Sequence, residues 1–267
     1  MSTWAEIQKS IAAQDLIAEI KVSSVTPIRT GGYNAQPYSA TLGLAEKLRA
    51  QELKGLWRWW ARAILAGAKI ATDKNLRTDS STLNKEINLS KLNQEISTLF
   101  GSTESSSKFT IQLSINKISE TKVTNKIPRI RLASMKNKKE EKQERAKEER
   151  HEETEKYYNI SFSILLKESS NSRLLKEIEK NKELTKNEAM FALSSILVSL
   201  VFSGIGSITT RGFGKLKITD LSPGQHFKEE VLKLKKILVE LYQHKNKVIP
   251  KLNELIHSAL KYASSAK

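Results

Sequence analysis

The chain has 267 residues, enough for one large domain or two small ones, and carries 45 lysines and arginines against 29 acids, a formal net charge of +16. It has no cysteine, which excludes disulfides, thiolate zinc sites and cysteine nucleophiles. The excess charge points to a polyanion, nucleic acid before a membrane surface: no helix pairs a basic face with an exposed apolar one, and no apolar run reaches about 18 residues.

The start, MSTWAEIQKS, lacks a basic stretch followed by an apolar one, so no signal peptide is read and a soluble, cytoplasmic chain is expected. Residues 18–28 alternate and are β-branched, which predicts a strand ended by Pro27. Residues 29–40, RTGGYNAQPYSA, read as a loop holding Arg29, Gly31, Gly32, Tyr33 and Tyr38. A helix is expected over 44–67 and a short one around 83–98. LFGSTESSS is a turn, KFTIQLSINKI (108–118) a strand, and IPRIRLAS (127–134) a second extended piece. Residues 136–156 hold eight bases and eight acids with no apolar stripe and read as a charged insertion, so the whole net charge resides elsewhere. A strand follows at 157–167, then a helix over 185–203 whose apolar girth argues burial and whose Thr185 and Glu188 have capping-box spacing. GIGSITTRGFGKLKI (204–218) reads as a glycine-rich turn into a strand, and 225–265 as two helices separated at Pro250. The order predicts an α+β fold, a ferredoxin-like βαββαβ unit of the kind that underlies the RRM, with helical insertions, helices on one sheet face and a helical C-terminal extension. The aromatic RNA-binding signatures of RRM strands are missing.

Two segments stand out chemically. In QELKGLWRWWARAILAG (51–67), helical spacing puts Leu53, Leu56, Trp57, Trp60 and Ile64 on one face and Lys54, Arg58 and Arg62 in an i, i+4, i+8 row, with Trp59 at its edge. The apolar face is a core stripe. Like charges at i, i+4 cost roughly 0.2–0.5 kcal/mol per pair, so the row suggests an external anion, although solvated bases near a helix C-terminus are also ordinary. In the second segment Gly204, Gly206, Gly212 and Gly214 surround Thr210, Arg211 and Lys215. Such a loop can offer backbone amides to an anion while Arg211 forks onto phosphate; the structural alternative is a tight helix-to-strand connection. A helix precedes it and a strand follows, the reverse of a Walker loop, so neither ATP nor a dinucleotide is expected, and no cofactor.

GIGSITTRGFGKL resembles the glycine-rich loop of the RAMP superfamily of CRISPR proteins. TPIRTGGYN, LKGLWRWWARAI and LFGSTESSS resemble, within it, the first subunits of type III-B Cmr effector complexes. The resemblance covers roughly 18–67, 99–116 and 157–218. It implies a RAMP domain, taken as 1–220; the helical extension expected over 221–267 departs from the family's longer members, which carry a second ferredoxin-like unit. The resemblance implies a non-catalytic RNA-binding subunit near the 3′ end of a CRISPR guide RNA or its duplex with target RNA, partnered by other RAMP subunits of the complex. By this resemblance Arg29, Gly31, Gly32, Tyr33, Lys54, Arg58, Trp59, Arg62 and the loop Gly204–Lys215 line the RNA groove.

For catalysis the chain offers little pattern. It has four histidines, His151, His226, His244 and His257, and four aspartates, with no HxxxH, DxD or GxSxG motif, so no metal site is expected. Metal-free RNA cleavage needs only an acid and a base brought together by folding, so a guide-processing endoribonuclease stands as one alternative and a protein-only scaffold as another.

Overall fold

A computed structural model describes residues 16–29, 48–72, 89–102, 106–121, 157–169, 186–206, 209, 212–243 and 245–265. The strands are β1 (Leu16–Ser24), β2 (Ile28–Arg29), β3 (Phe109–Thr121), β4 (Tyr157–Glu168) and β5 (Leu216–Pro223); the helices are α1 (Ala50–Thr72), α2 (Leu89–Phe100), α3 (Lys186–Phe202), α4 (Lys228–Gln243) and α5 (Val248–Ser265). The architecture is α+β, an antiparallel sheet with helices packed on it.

Every strand pairing is antiparallel. β1 lies between β4 and β5, and β3 covers the other flank of β4. β2 pairs with Tyr157 and Tyr158 in the same sense as β1, so it continues β1 past a kink at 25–27. The expected single strand 18–28 is thus corrected: it breaks at Ser24 and resumes at Ile28, directly after Pro27. Proline has no N–H for the ladder, and the backbone groups of the kink turn toward residues 214 and 215 instead, Val25 N–H to Lys215 O at 2.7 Å and Gly214 N–H to Pro27 O at 2.9 Å.

Alternation decides which face is buried. Ile20, Val22, Ile160, Phe162, Ile164 and Leu166 point into the core, while Lys21 and Asn159 face outward. The helices cover the inward face, and α3 is their centre. Glu188 through Leu200 are buried without interruption, which is why its sequence is apolar on all sides rather than striped. Its buried serines return their hydroxyls to the helix: Ser194 donates to Phe191 O, Ser195 to Ala192 O and Ser199 to Ile196 O, at 3.2, 2.9 and 2.7 Å. Glu188 meets Lys108 Nζ at 2.8 Å, with the two side chains 5% and 12% exposed, and so ties the start of α3 to the start of β3.

The C-terminal helices share this core through Val231, Leu234, Leu238, Leu255, Ala259 and Ala263. The expected break at Pro250 is displaced. The chain leaves α4 at Gln243 and re-enters α5 at Val248, and Pro250 sits in the first turn of α5, where a missing N–H costs nothing. The predicted strand 127–134, the insertion 136–156 and Thr185 lie outside the described residues.

Candidate nucleic-acid interface

α1 is anchored by its tryptophans. Trp57 is fully buried, its ring edge-on to Phe100 at 4.6 Å, and its Nε1–H donates to Ser195 Oγ at 2.7 Å and Ala192 O at 3.1 Å. Trp60 is half-buried; it donates to Ser203 Oγ at 2.6 Å and packs on Phe202 at 5.6 Å. The helix is therefore fixed in rotation, and the positions of its remaining side chains follow. Trp59 is 59% exposed, with its ring standing edge-on against Trp60 at 5.1 Å.

The basic row runs along one border of the buried face. Lys54 and Arg58 are half-buried and Arg62 is exposed. Each step of four residues moves about 40° around the helix, so the row drifts from the core border toward solvent. Among the described residues no carboxylate forms an ion pair with any of the three. Burial, and then the nearby Arg58, hold the Lys54 ammonium below its ordinary pKa. Lys69 continues the row seven residues beyond Arg62, and there an acid is supplied: Glu95 of α2 lies at 2.6 Å. The row is thus neutralised at its C-terminal end and bare in its N-terminal half.

The glycine-rich loop lies on the other flank of α1. Gly206 N–H donates to Glu52 Oε1 at 2.7 Å, and Glu52 and Trp59 share a stripe because seven residues are nearly two turns. Trp59 is therefore a crest between the bare basic row and the loop. Among the described residues the two expected groups flank one exposed ring.

Inside the loop, backbone packs on backbone. Ile205 N–H donates to Gly214 O, Gly212 N–H to Thr209 O and Gly214 N–H to Pro27 O, at 2.9, 3.1 and 2.9 Å. Thr26 bridges, its hydroxyl accepting from Lys215 N–H at 2.9 Å and donating to Gly212 O at 2.9 Å. A Cβ at Gly214, whose φ is 64°, would overlap the Ile205 carbonyl. Gly204 bridges Lys215, and Lys215 Nζ reaches Phe202 O at the end of α3 at 3.4 Å. These glycines are accounted for by a close turn, and the amides of 205, 206, 212, 214 and 215 are all engaged within the chain. Gly31, Gly32, Tyr33, Tyr38, Thr210 and Arg211 lie outside the described residues, as does the side chain of Arg29, whose backbone pairs with Tyr157.

Sequence reading missed two participants. Glu95 could not be linked to Lys69 without the fold, although Lys69 itself, at i+7 from Arg62, was readable. Glu52 was visible as an acid two residues before Lys54, but nothing local announced its partner. Of the histidines, His226 and His257 are exposed, and His151 and His244 lie outside the described residues. Among the described residues no group of three or more histidines and acids is placed to hold a metal ion, and no helix is long and apolar enough to cross a membrane.

This chain resembles a Saccharolobus solfataricus protein named CRISPR system CMR subunit Cmr1, with 26% identity over 78% of this chain and 55% of that protein. Among solved structures, two of the type III-B Cmr-beta complex bound to cognate target RNA, one of them also with AMPPnP and in the presence of ssDNA, each contain a chain that matches this one with a TM-score of 0.60 at 18% identity. The match covers 91% and 92% of this chain but 63% and 62% of those chains. This chain spans little more than half the length of the curated relative. A family model described as the RAMP superfamily matches residues 21–217, most of the chain, and the protein belongs to that superfamily.

Proposed function

We propose that this chain is a cytoplasmic, RNA-binding, non-catalytic subunit of a type III-B Cmr effector assembly. In this reading it holds guide RNA near its 3′ end, or the guide–target duplex, beside other RAMP subunits. The βαββαβ order is read as a ferredoxin-like unit: α1 links β1 to β3, β4 returns between them, and α3 links β4 to β5.

One observation carries the reading. Lys54, Arg58 and Arg62 stand without an acid partner among the described residues, beside an indole left 59% exposed, while the next base in the row has its own glutamate. Three bases that repel one another gain when a phosphate backbone arrives, and an exposed ring offers a face to a base. RNA is pictured crossing the crest of α1 over Trp59 rather than running along the helix. Sequence similarity to the Cmr relative supports the assembly; the basic crest supports the ligand.

Trp59→Ala tests it. The ring touches Trp60 at the edge of the core and is otherwise exposed, so stability should fall by about 0.5–1.5 kcal/mol. Affinity for a single-stranded oligonucleotide should fall by about 1–3 kcal/mol, the worth of one stacked base. Fluorescence anisotropy with labelled U15 measures it, and equal affinity for the variant and the parent would remove Trp59 from the site.

A further inference from the structure

The Gly206–Glu52 bond is unlike the other bonds of the glycine-rich loop. Those join backbone to backbone, or to the Thr26 hydroxyl, across a packed turn. This one sets an exposed carboxylate against an amide whose glycine has φ 104°, a conformation L side chains rarely adopt. The acid lies on the stripe of α1 that carries Trp59, two residues before Lys54. It is an acid on the rim of a surface otherwise suited to polyanions.

We infer that the Glu52 carboxylate is a resident anion on the Gly206 amide, which an RNA phosphate replaces when the strand crosses Trp59. This rests on the RNA-binding reading and adds a mechanism to it. A carboxylate and a phosphate oxygen make the same charge-assisted bond to a backbone N–H. In the free chain Glu52 satisfies the amide and holds the loop against α1, so the loop is in place before the ligand arrives. When RNA arrives, a phosphate takes the amide and Glu52 swings to water, which its exposure permits. Glu52 is thus a positioning residue for the loop and a brake on affinity. It raises the cost of weak, partial encounters, because an RNA must reach Gly206 to displace it.

The test uses the full chain with [15N]glycine and U15 RNA. In the free chain the Gly206 amide resonance should differ between the parent and Glu52→Ala, because the carboxylate accepts from that amide. In the complex that difference should vanish, and the bound Gly206 resonance should be the same in the parent, in Glu52→Gln and in Glu52→Ala. Glu52→Gln and Glu52→Ala should both bind U15 tighter, by about three- to tenfold at low salt, since each removes a like charge within a Debye length of the phosphates. A Gly206 amide that still differs between the parent and Glu52→Ala in the complex overturns the inference, and so does weaker binding by both variants, which would make Glu52 a structural clip only. If the parent chain binds RNA and Gly206 does not move, the inference alone fails. A parent chain that binds no RNA defeats the inference together with the function on which it rests.

Discussion

Replacing Lys54, Arg58 and Arg62 together by Ala probes the basic crest most directly. Each of the three lacks an ion-pair partner among the described residues, so each is counted as one phosphate contact. Binding to single strands falls with salt by roughly 0.7 log units per contact per log unit of salt, so three contacts account for a slope of about 2. Between 50 and 200 mM salt the parent should therefore lose about 20-fold more affinity than the variant. The fold should tolerate the change. Arg62 is exposed, and the half-buried stems of Lys54 and Arg58 lose some packing, offset in part by relief of like-charge pairs worth roughly 0.2–0.5 kcal/mol each. Lys69→Ala is the internal control: Glu95 already neutralises that base at 2.6 Å, so its removal should leave the slope near that of the parent. Anisotropy with U15 and with an unrelated sequence, each over a salt series, gives the slopes, and the loss should be alike for both because phosphates carry no base identity. A folded triple variant with the parental slope would refute the assignment of the crest to RNA.

Other outcomes follow from single contacts. Because burial and Arg58 hold Lys54 below its ordinary pKa and a phosphate favours the charged ammonium, affinity should be full below that pKa and fall as pH rises through it; Lys54→Arg, which stays charged, should keep its affinity to higher pH than the parent, and a parent that loses none of its affinity at a pH where Lys54 has lost its charge would place Lys54 away from the phosphates. Lys108→Met removes a buried charge-assisted bond to Glu188, so urea unfolding should show a loss of about 1–3 kcal/mol; a neutral single variant would mean the pair is not sheltered from water. Purified chain incubated with labelled guide precursor, with and without Mg²⁺, should leave it intact; cutting that disappears in His226→Ala or His257→Ala would make the protein a nuclease.

The sequence patterns that depend on near neighbours translated well into structure. Alternation located β1, β3 and β4, and the 3.6-residue period put Trp57 in the core and Arg62 in solvent. The apolar girth of α3 announced a helix packed on every side. What stayed hidden depends on partners far along the chain. Thr26 and Gly212 are 186 residues apart, and no local pattern says that Gly212 and Gly214 pack against a strand kink. Glu52 and Gly206 are separated by 154 residues in the same way. Pro250 was read as a stop because proline ends helices, yet the first turn of the next helix is the other place where it fits. The flank on which each group lies was the remaining unknown, because the rotation of α1 is set by Ser195 and Ser203, on and just beyond α3.

The central place of β1 in the sheet has a consequence for synthesis. The strand leaves the ribosome well before its two neighbours, β4 and β5, which lie more than 130 residues downstream. At about 5–20 residues per second β1 waits on the order of ten seconds with both edges open. During that interval the nascent chain exposes Ile17, Ile20 and Val22 and an unpaired ladder, which invites chaperones or another nascent copy. The kink at 25–27 cannot close on its glycine partners until residue 215 has emerged, so the crest of α1 gains its loop only after nearly 150 further residues have been made beyond the helix itself. Quality control that acts on nascent chains shorter than this would therefore meet the surface unassembled, and only chains extended past residue 215 would present it to a ligand.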